Sequence, residues 1–148
     1  MILIRGRATV LALLLVSSLA VFASKEETVQ ELVARAETAR PDDRPALYVE
    51  AAQRQLKATD DLYTQGKTEE ARATVGDVIT YSEKAQNAAL QSGKKLKQTE
   101  IALRKMAARL RDIQRSLSYE DQAPVQAAAE RLENLRTGLQ QRMFGKKK

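Results

Sequence analysis

From residue 29 to residue 143 apolar residues recur at intervals of three and four, the spacing that lines one face of an α-helix. Val29, Leu32, Val33 and Ala36 predict a helix over about 25–39, with Glu26, Glu27 and Glu31 in its early turns, where negative charge suits the positive end of the dipole. Arg40-Pro41-Asp42-Asp43-Arg44-Pro45 interrupts the pattern. Two prolines four residues apart cannot continue a helix, although Pro45 can open the next one. The second stripe (Leu47, Tyr48, Ala51, Ala52, Gln55, Leu56, Thr59, Leu62, Tyr63) predicts a helix over 45–66, closed by Gly66 as a left-handed cap. Thr68, followed by Glu69 and Glu70, reads as the N-cap of a third helix, antiparallel to the second.

The extent of that third helix turns on Gly93. Val75, Ser82, Ala89, Leu96, Leu103, Leu110 and Leu117 repeat every seven residues straight across the glycine. Val78, Ala85, Ser92, Thr99, Met106 and Ile113 do the same three residues later. A helix starting after Gly93 would also open with Lys94, Lys95 and Lys97 against its own positive end. The sequence therefore predicts one central helix over about 68–117, about 75 Å long at 1.5 Å per residue. Two helices with a turn at Gly93 are the alternative. Ser118 or Asp121 then caps a last helix over 122–143, with Pro124 in its first turn and Val125, Ala128, Leu132, Leu135, Leu139 and Met143 on its stripe. The expected fold class is all-α: an elongated antiparallel bundle in which 45–66 folds back on the first half of the long helix and 124–143 on the second. The inner seam is Ala- and Ser-rich in the first half and Leu-rich in the second, so the first half buries less apolar area.

Residues 1–23 follow a different rule. Arg5 and Arg7 precede a 16-residue apolar run, Ala8 to Ala23, that ends in Val21-Phe22-Ala23. A positive head, an apolar middle and a small-residue exit describe a secretory signal peptide cut after Ala23. The run is shorter than the roughly 20 residues that span a bilayer core, which favours cleavage over an N-terminal membrane anchor. The expectation is an exported, periplasmic or extracellular protein, with 24–148 as a single helical domain and 145–148 as a frayed basic tail.

Around the first hairpin, Leu62-Tyr63, Gly66, Glu69-Glu70-Ala71 and Val75 follow the spacing of a tetratricopeptide unit. The chain resembles that family over about 30 residues. It departs from it at Val78, where the family has Ala, and at Glu83, where the family has the closing Pro, and no second copy follows 34 residues on. The resemblance implies a protein-binding scaffold, while a generic helical hairpin accounts for the same residues.

Composition narrows the chemistry. The 148 residues include no Cys and no His, which removes disulfides, thiol nucleophiles, Cys/His zinc sites and imidazole catalysis. Adjacent acids such as Asp42-Asp43, Asp60-Asp61 and Glu69-Glu70 point about 100° apart on a helix and do not converge on one atom. No phosphate-cradling glycine loop and no Gly-x-Ser-x-Gly occur. No catalytic residue, cofactor, metal or small-molecule substrate is expected.

Charge is the uneven property. Residues 24–93 carry 9 basic and 13 acidic residues, whereas 94–148 carry 14 basic and 6 acidic. Eight of those cations lie between Lys94 and Arg115, opposed only by Glu100 and Asp112. Lys97, Arg104 and Arg111 repeat every seven and align in a row beside the apolar seam. The candidate face for an anionic partner comprises Lys94, Lys95, Lys97, Arg104, Lys105 and Arg111, with Lys146, Lys147 and Lys148 of the tail. A solvated charged helix face accounts for the same residues. Three roles follow: a non-catalytic scaffold for another protein in the cell envelope, a binder of lipid headgroups or acidic cell-wall polymer, and self-association through Leu96, Leu103, Met106, Leu110 and Ile113 as a coiled coil between chains. Nucleic acid is not expected, because the chain carries no recognised binding motif.

Overall fold

A computed structural model describes residues 26–145; the predicted signal segment and Lys146–Lys148 lie outside the described residues. Thr28 sets the start of the first helix by accepting a hydrogen bond from the Glu31 backbone N–H at 3.1 Å. Helix α1 therefore spans Val29–Thr38, shorter than the expected 25–39. Glu27 precedes the helix and pairs with Arg35 at 2.9 Å, a contact that pulls the Glu27 carboxyl below its usual pKa. The paired prolines then reverse the chain. Helix α2 (Arg44–Thr64) carries Pro45 in its first turn, and Gly66 adopts φ 74° in the turn to α3. Thr68 is the first residue of helix α3 (Thr68–Ser92) and not its cap: Lys67 holds the cap position and makes no side-chain capping bond.

The central helix is not continuous. Helix α3 stops at Ser92, Gly93 takes a left-handed conformation (φ 66°, ψ 11°), and helix α4 (Leu96–Ser116) begins after Lys95, itself left-handed (φ 60°, ψ 21°). The Lys94 N–H is caught by Ser92 Oγ at 3.1 Å. A three-residue connection thus replaces the expected rod over 68–117, and the alternative of two helices holds. The seven-residue phase crosses the turn because each helix separately directs its stripe inward: Val75, Val78, Ser82, Ala85, Ala89, Thr99, Leu103, Met106, Leu110 and Ile113 are all buried. Helix α5 (Tyr119–Phe144) starts three residues earlier than expected, after Ser118, whose hydroxyl donates to the Asp121 carboxylate at 2.9 Å. Pro124 falls in the second turn of α5, where the bond it cannot donate would have gone to the Glu120 carbonyl.

Among the described residues the fold is five helices and no strand, an all-α bundle. Its longest helix, α5 with 26 residues, is about 39 Å, roughly half the length of the expected rod. Two hairpins make it up. In the first, Gln55 Nε2 donates to Asp77 at 2.9 Å and Thr59 meets Thr74 at 2.7 Å, so α2 and α3 run antiparallel. In the second, α4 and α5 do the same, with Gln114 opposite Gln126 and Glu100 opposite Arg136. Between the hairpins the partners keep a constant offset. Arg72 reaches Asp121, Arg131 reaches Glu83 and Gln86 donates to the Leu135 carbonyl, pairs separated by 49, 48 and 49 residues. Arg109 pairs with Asp60, again 49 apart. A constant difference in residue number means parallel helices, so α3 lies parallel to α5, and α2 parallel to α4.

Gly138 leaves room for the Gln86 amide that donates to the Leu135 carbonyl: a Cβ there would sit 2.7 Å from Gln86 Nε2. One core joins Ala52 and Leu56 of α2 with residues of α3, α4 and α5, and a smaller cluster of Ala36, Tyr48, Ala85 and Ala88 seats α1 at one end. Leu103, Met106, Leu110 and Ile113 belong to that core. Of the stripe that offered self-association as a third role, these four are therefore used inside one chain, and Leu96 packs half-buried against the same core. The tyrosines also divide: Tyr48 packs, the Tyr63 hydroxyl is buried without a partner among the described residues, and Tyr119 is 90% exposed.

Candidate functional site

Helix α4 is held on two flanks, and its third side faces solvent. On the α5 flank, Arg136 donates to Glu100 at 2.6 Å and to Glu133 at 3.1 Å, and these bonds raise the Arg136 pKa further. On the α2 flank, Arg109 pairs with Asp60. Facing away from the core, Lys97, Arg104 and Lys105 are exposed and Arg111 is half-buried. Lys97, Arg104 and Arg111 lie on successive pairs of turns, about 10 Å apart, so the row extends about 21 Å along the helix.

The ion pairs separate the eight cations of this stretch into two groups. Arg109 is bound to Asp60 and Arg115 to Asp112. Lys94, Lys95, Lys97, Arg104, Lys105 and Arg111 have no carboxylate within 4 Å among the described residues. Those six are the described members of the sequence-predicted face. The two acids of the same stretch are committed elsewhere: Glu100, only 7% exposed, faces Arg136, and Asp112 is engaged by Arg115. The positive field of the row is thus left without a local counter-charge.

The six do not form one cluster. Lys97, Arg104 and Arg111 make the outer row, with Lys105 displaced toward α2. Lys94 and Lys95 sit in the α3–α4 turn, where they line a depression with Arg40, Asp42, Asp43 and Gln98. The acidic pair of the α1–α2 turn therefore shares that corner, and the outer row carries the less opposed charge. A neighbouring depression of about 460 Å³ is lined by Arg35, Asp43, Leu47 and Lys95, among others. Lys146, Lys147 and Lys148 lie outside the described residues.

Two residues at this end were not in the predicted face. Arg142, in the last turn of α5, also has no ion-pair partner among the described residues, and its Nη2 lies 4.0 Å from where a Cβ of Gly93 would be. Phe144, the last residue of α5, is 79% exposed. Their closeness to the α3–α4 turn depends on α5 returning antiparallel to α4; the Lys-rich tail immediately downstream was the one sequence cue to this end. Among the described residues no group of His, Cys, Asp or Glu is arranged to hold a metal ion, and no helix is long and apolar enough to cross a membrane.

Comparison of the chain with protein-family models, with curated proteins and with solved structures finds no match, so no family match accompanies the tetratricopeptide resemblance of the first hairpin.

Proposed function

We propose that this protein is an exported, non-catalytic helical binding module that engages a polyanionic partner through the outer face of α4. The observation that carries the reading is the division of charges: Asp60, Glu100 and Asp112 are each paired with an arginine, while Lys97, Arg104, Lys105 and Arg111, on the outer side of α4, have no carboxylate within 4 Å among the described residues. Local electrostatics adds to it. Helix α4 opens on Lys94, Lys95 and Lys97 with no acid in its first turn, so the positive end of its dipole and three ammonium groups reinforce one another. Scaffolding of another protein uses the same fold. However, Tyr119 and Phe144 are the exposed large hydrophobic side chains of the described residues, and they sit at opposite ends of α5. A protein interface usually has an apolar centre, and the charged face of α4 offers none.

Long-chain inorganic polyphosphate is a suitable probe. The purified protein lacking residues 1–23 is expected to bind it, with affinity falling steeply between about 50 mM and about 500 mM salt as the charges are screened. Replacing Lys97, Arg104 and Arg111 with Gln is expected to weaken binding at least about ten-fold at unchanged helicity, since each lost contact removes a screened but additive attraction. Binding that ignores both salt and these substitutions overturns the reading.

A further inference from the structure

Resting on that reading, we infer that the surface fitting this face is an anionic phospholipid bilayer, approached with the outer row of α4 against the headgroups and Phe144 entering between them. A charged row by itself fits any polyanion. Phe144 separates the cases, because a soluble polyanion has no apolar layer to receive an aromatic ring, whereas a bilayer has one just beneath its phosphates.

The placement of Phe144 follows from helix geometry. It lies 18 residues after Gln126, five full turns, and so on the same side of α5. Gln126 faces α4 through Gln114, as Gln140 and Arg136 do through Glu100. Phe144 thus projects from the α4-facing edge of α5, at the end where α4 begins, one helix away from Lys97. The same end of the bundle carries Lys94 and Lys95 in the α3–α4 turn and Arg142 on the opposite side of α5, its Nη2 4.0 Å from the position of a Gly93 Cβ, none of them with an ion-pair partner among the described residues. Tyr119, the other highly exposed aromatic, lies at the far end of α5, away from this cluster. Cations that approach phosphates while an adjacent aromatic inserts are the two components of interfacial attachment without a spanning helix.

Sedimentation with lipid vesicles tests this. The protein without residues 1–23 is expected to co-sediment with vesicles of about 30 mol % phosphatidylglycerol in phosphatidylcholine, and not with phosphatidylcholine alone. Each cation at the surface is worth about five-fold in affinity, so the Lys97→Gln, Arg104→Gln, Arg111→Gln variant is expected to bind about 100-fold more weakly. A charge-matched control, Lys67→Gln, Lys84→Gln, Arg131→Gln, removes three cations from other surfaces and is expected to bind as the parent does. Phe144→Ser is expected to lose about ten-fold on vesicles and nothing on polyphosphate, because it removes buried apolar area but no charge. Polyphosphate binding without vesicle binding overturns the lipid assignment and leaves the polyanion reading standing. Vesicle binding indifferent to Phe144→Ser, or weakened as much by the control as by the α4 variant, also overturns it. Failure to bind either probe removes both.

Discussion

Replacing Gly93 with Ala separates the two geometries the sequence allows, because they demand effects of opposite sign. In a helix running unbroken over 68–117, Ala for Gly would stabilise by about 1 kcal/mol through helix propensity. In the observed turn Gly93 has φ 66°, where an L-residue is strained by about 1–2 kcal/mol. Reduced freedom of the unfolded chain offsets about 0.4–1 kcal/mol of that strain, which leaves a net loss of about 1 kcal/mol. Crowding adds nothing, since the nearest atom to the new methyl group, Arg142 Nη2, is 4.0 Å away. The two geometries therefore differ by about 2 kcal/mol in the outcome. Urea unfolding followed by circular dichroism resolves this: with a slope of about 1–2 kcal/mol per molar, the midpoint is expected to fall by about 0.5–1 M. Lys95→Gly is the companion substitution. Lys95 has φ 60° with a side chain attached, so removing the side chain relieves strain and is expected to leave stability unchanged or raise it by up to about 1 kcal/mol. A Gly93→Ala protein more stable than its parent would refute the turn.

Arg136→Leu leaves the nearly buried Glu100 carboxylate with only Gln140 at 3.5 Å, and is expected to cost about 2–3 kcal/mol in urea unfolding, since Arg136 itself is a quarter exposed; the double variant with Glu100→Leu is expected to recover most of the loss. Ser82 Oγ is buried with no hydrogen-bond partner among the described residues, so Ser82→Ala is expected to stabilise by about 1 kcal/mol, and a loss of that size would place an unseen partner there. Burial raises the pKa of Tyr63 and of Tyr81 in the folded protein, so their contribution to stability is intact below the unfolded value of about 10 and disappears as pH rises past it. Unfolding midpoints measured from pH 8 upward are expected to fall most steeply above about pH 10, and Tyr63→Phe is expected to flatten that fall.

The stripes of the last helix show how much was local. Val125, Ala128, Leu132, Leu135, Leu139 and Met143 were legible as one face from spacing alone; the first five are buried and Met143 packs half-buried against the core. The break at Pro41 and Pro45, the turn at Gly66 and the inward face of α2 were legible for the same reason: proline and glycine act on the backbone where they stand. The cationic row was legible too, because a period of seven places Lys97, Arg104 and Arg111 on one side of any helix that contains them.

What the chain alone left open was continuity, and with it partnership. A heptad count registers which residues face inward but is blind to a turn whose length happens to preserve the phase, as Gly93–Lys95 does. The three lysines do oppose the dipole of α4, at a cost of up to about 1 kcal/mol each. Burial of Leu103, Leu110, Leu132 and Leu139 between α4 and its neighbours outweighs that cost, because each buried leucine contributes about 1.5–3 kcal/mol. Pairing decided the rest. Only the folded-back hairpins bring Asp60 to Arg109 and Arg136 to Glu100, and so determine which charges of α4 are spent and which remain free. Only the antiparallel return of α5 carries Phe144 and Arg142 to the end where α4 starts. Spacing along the chain assigns a residue to a face of its own helix, whereas what stands opposite that face depends on contacts between residues 36 to 49 positions apart.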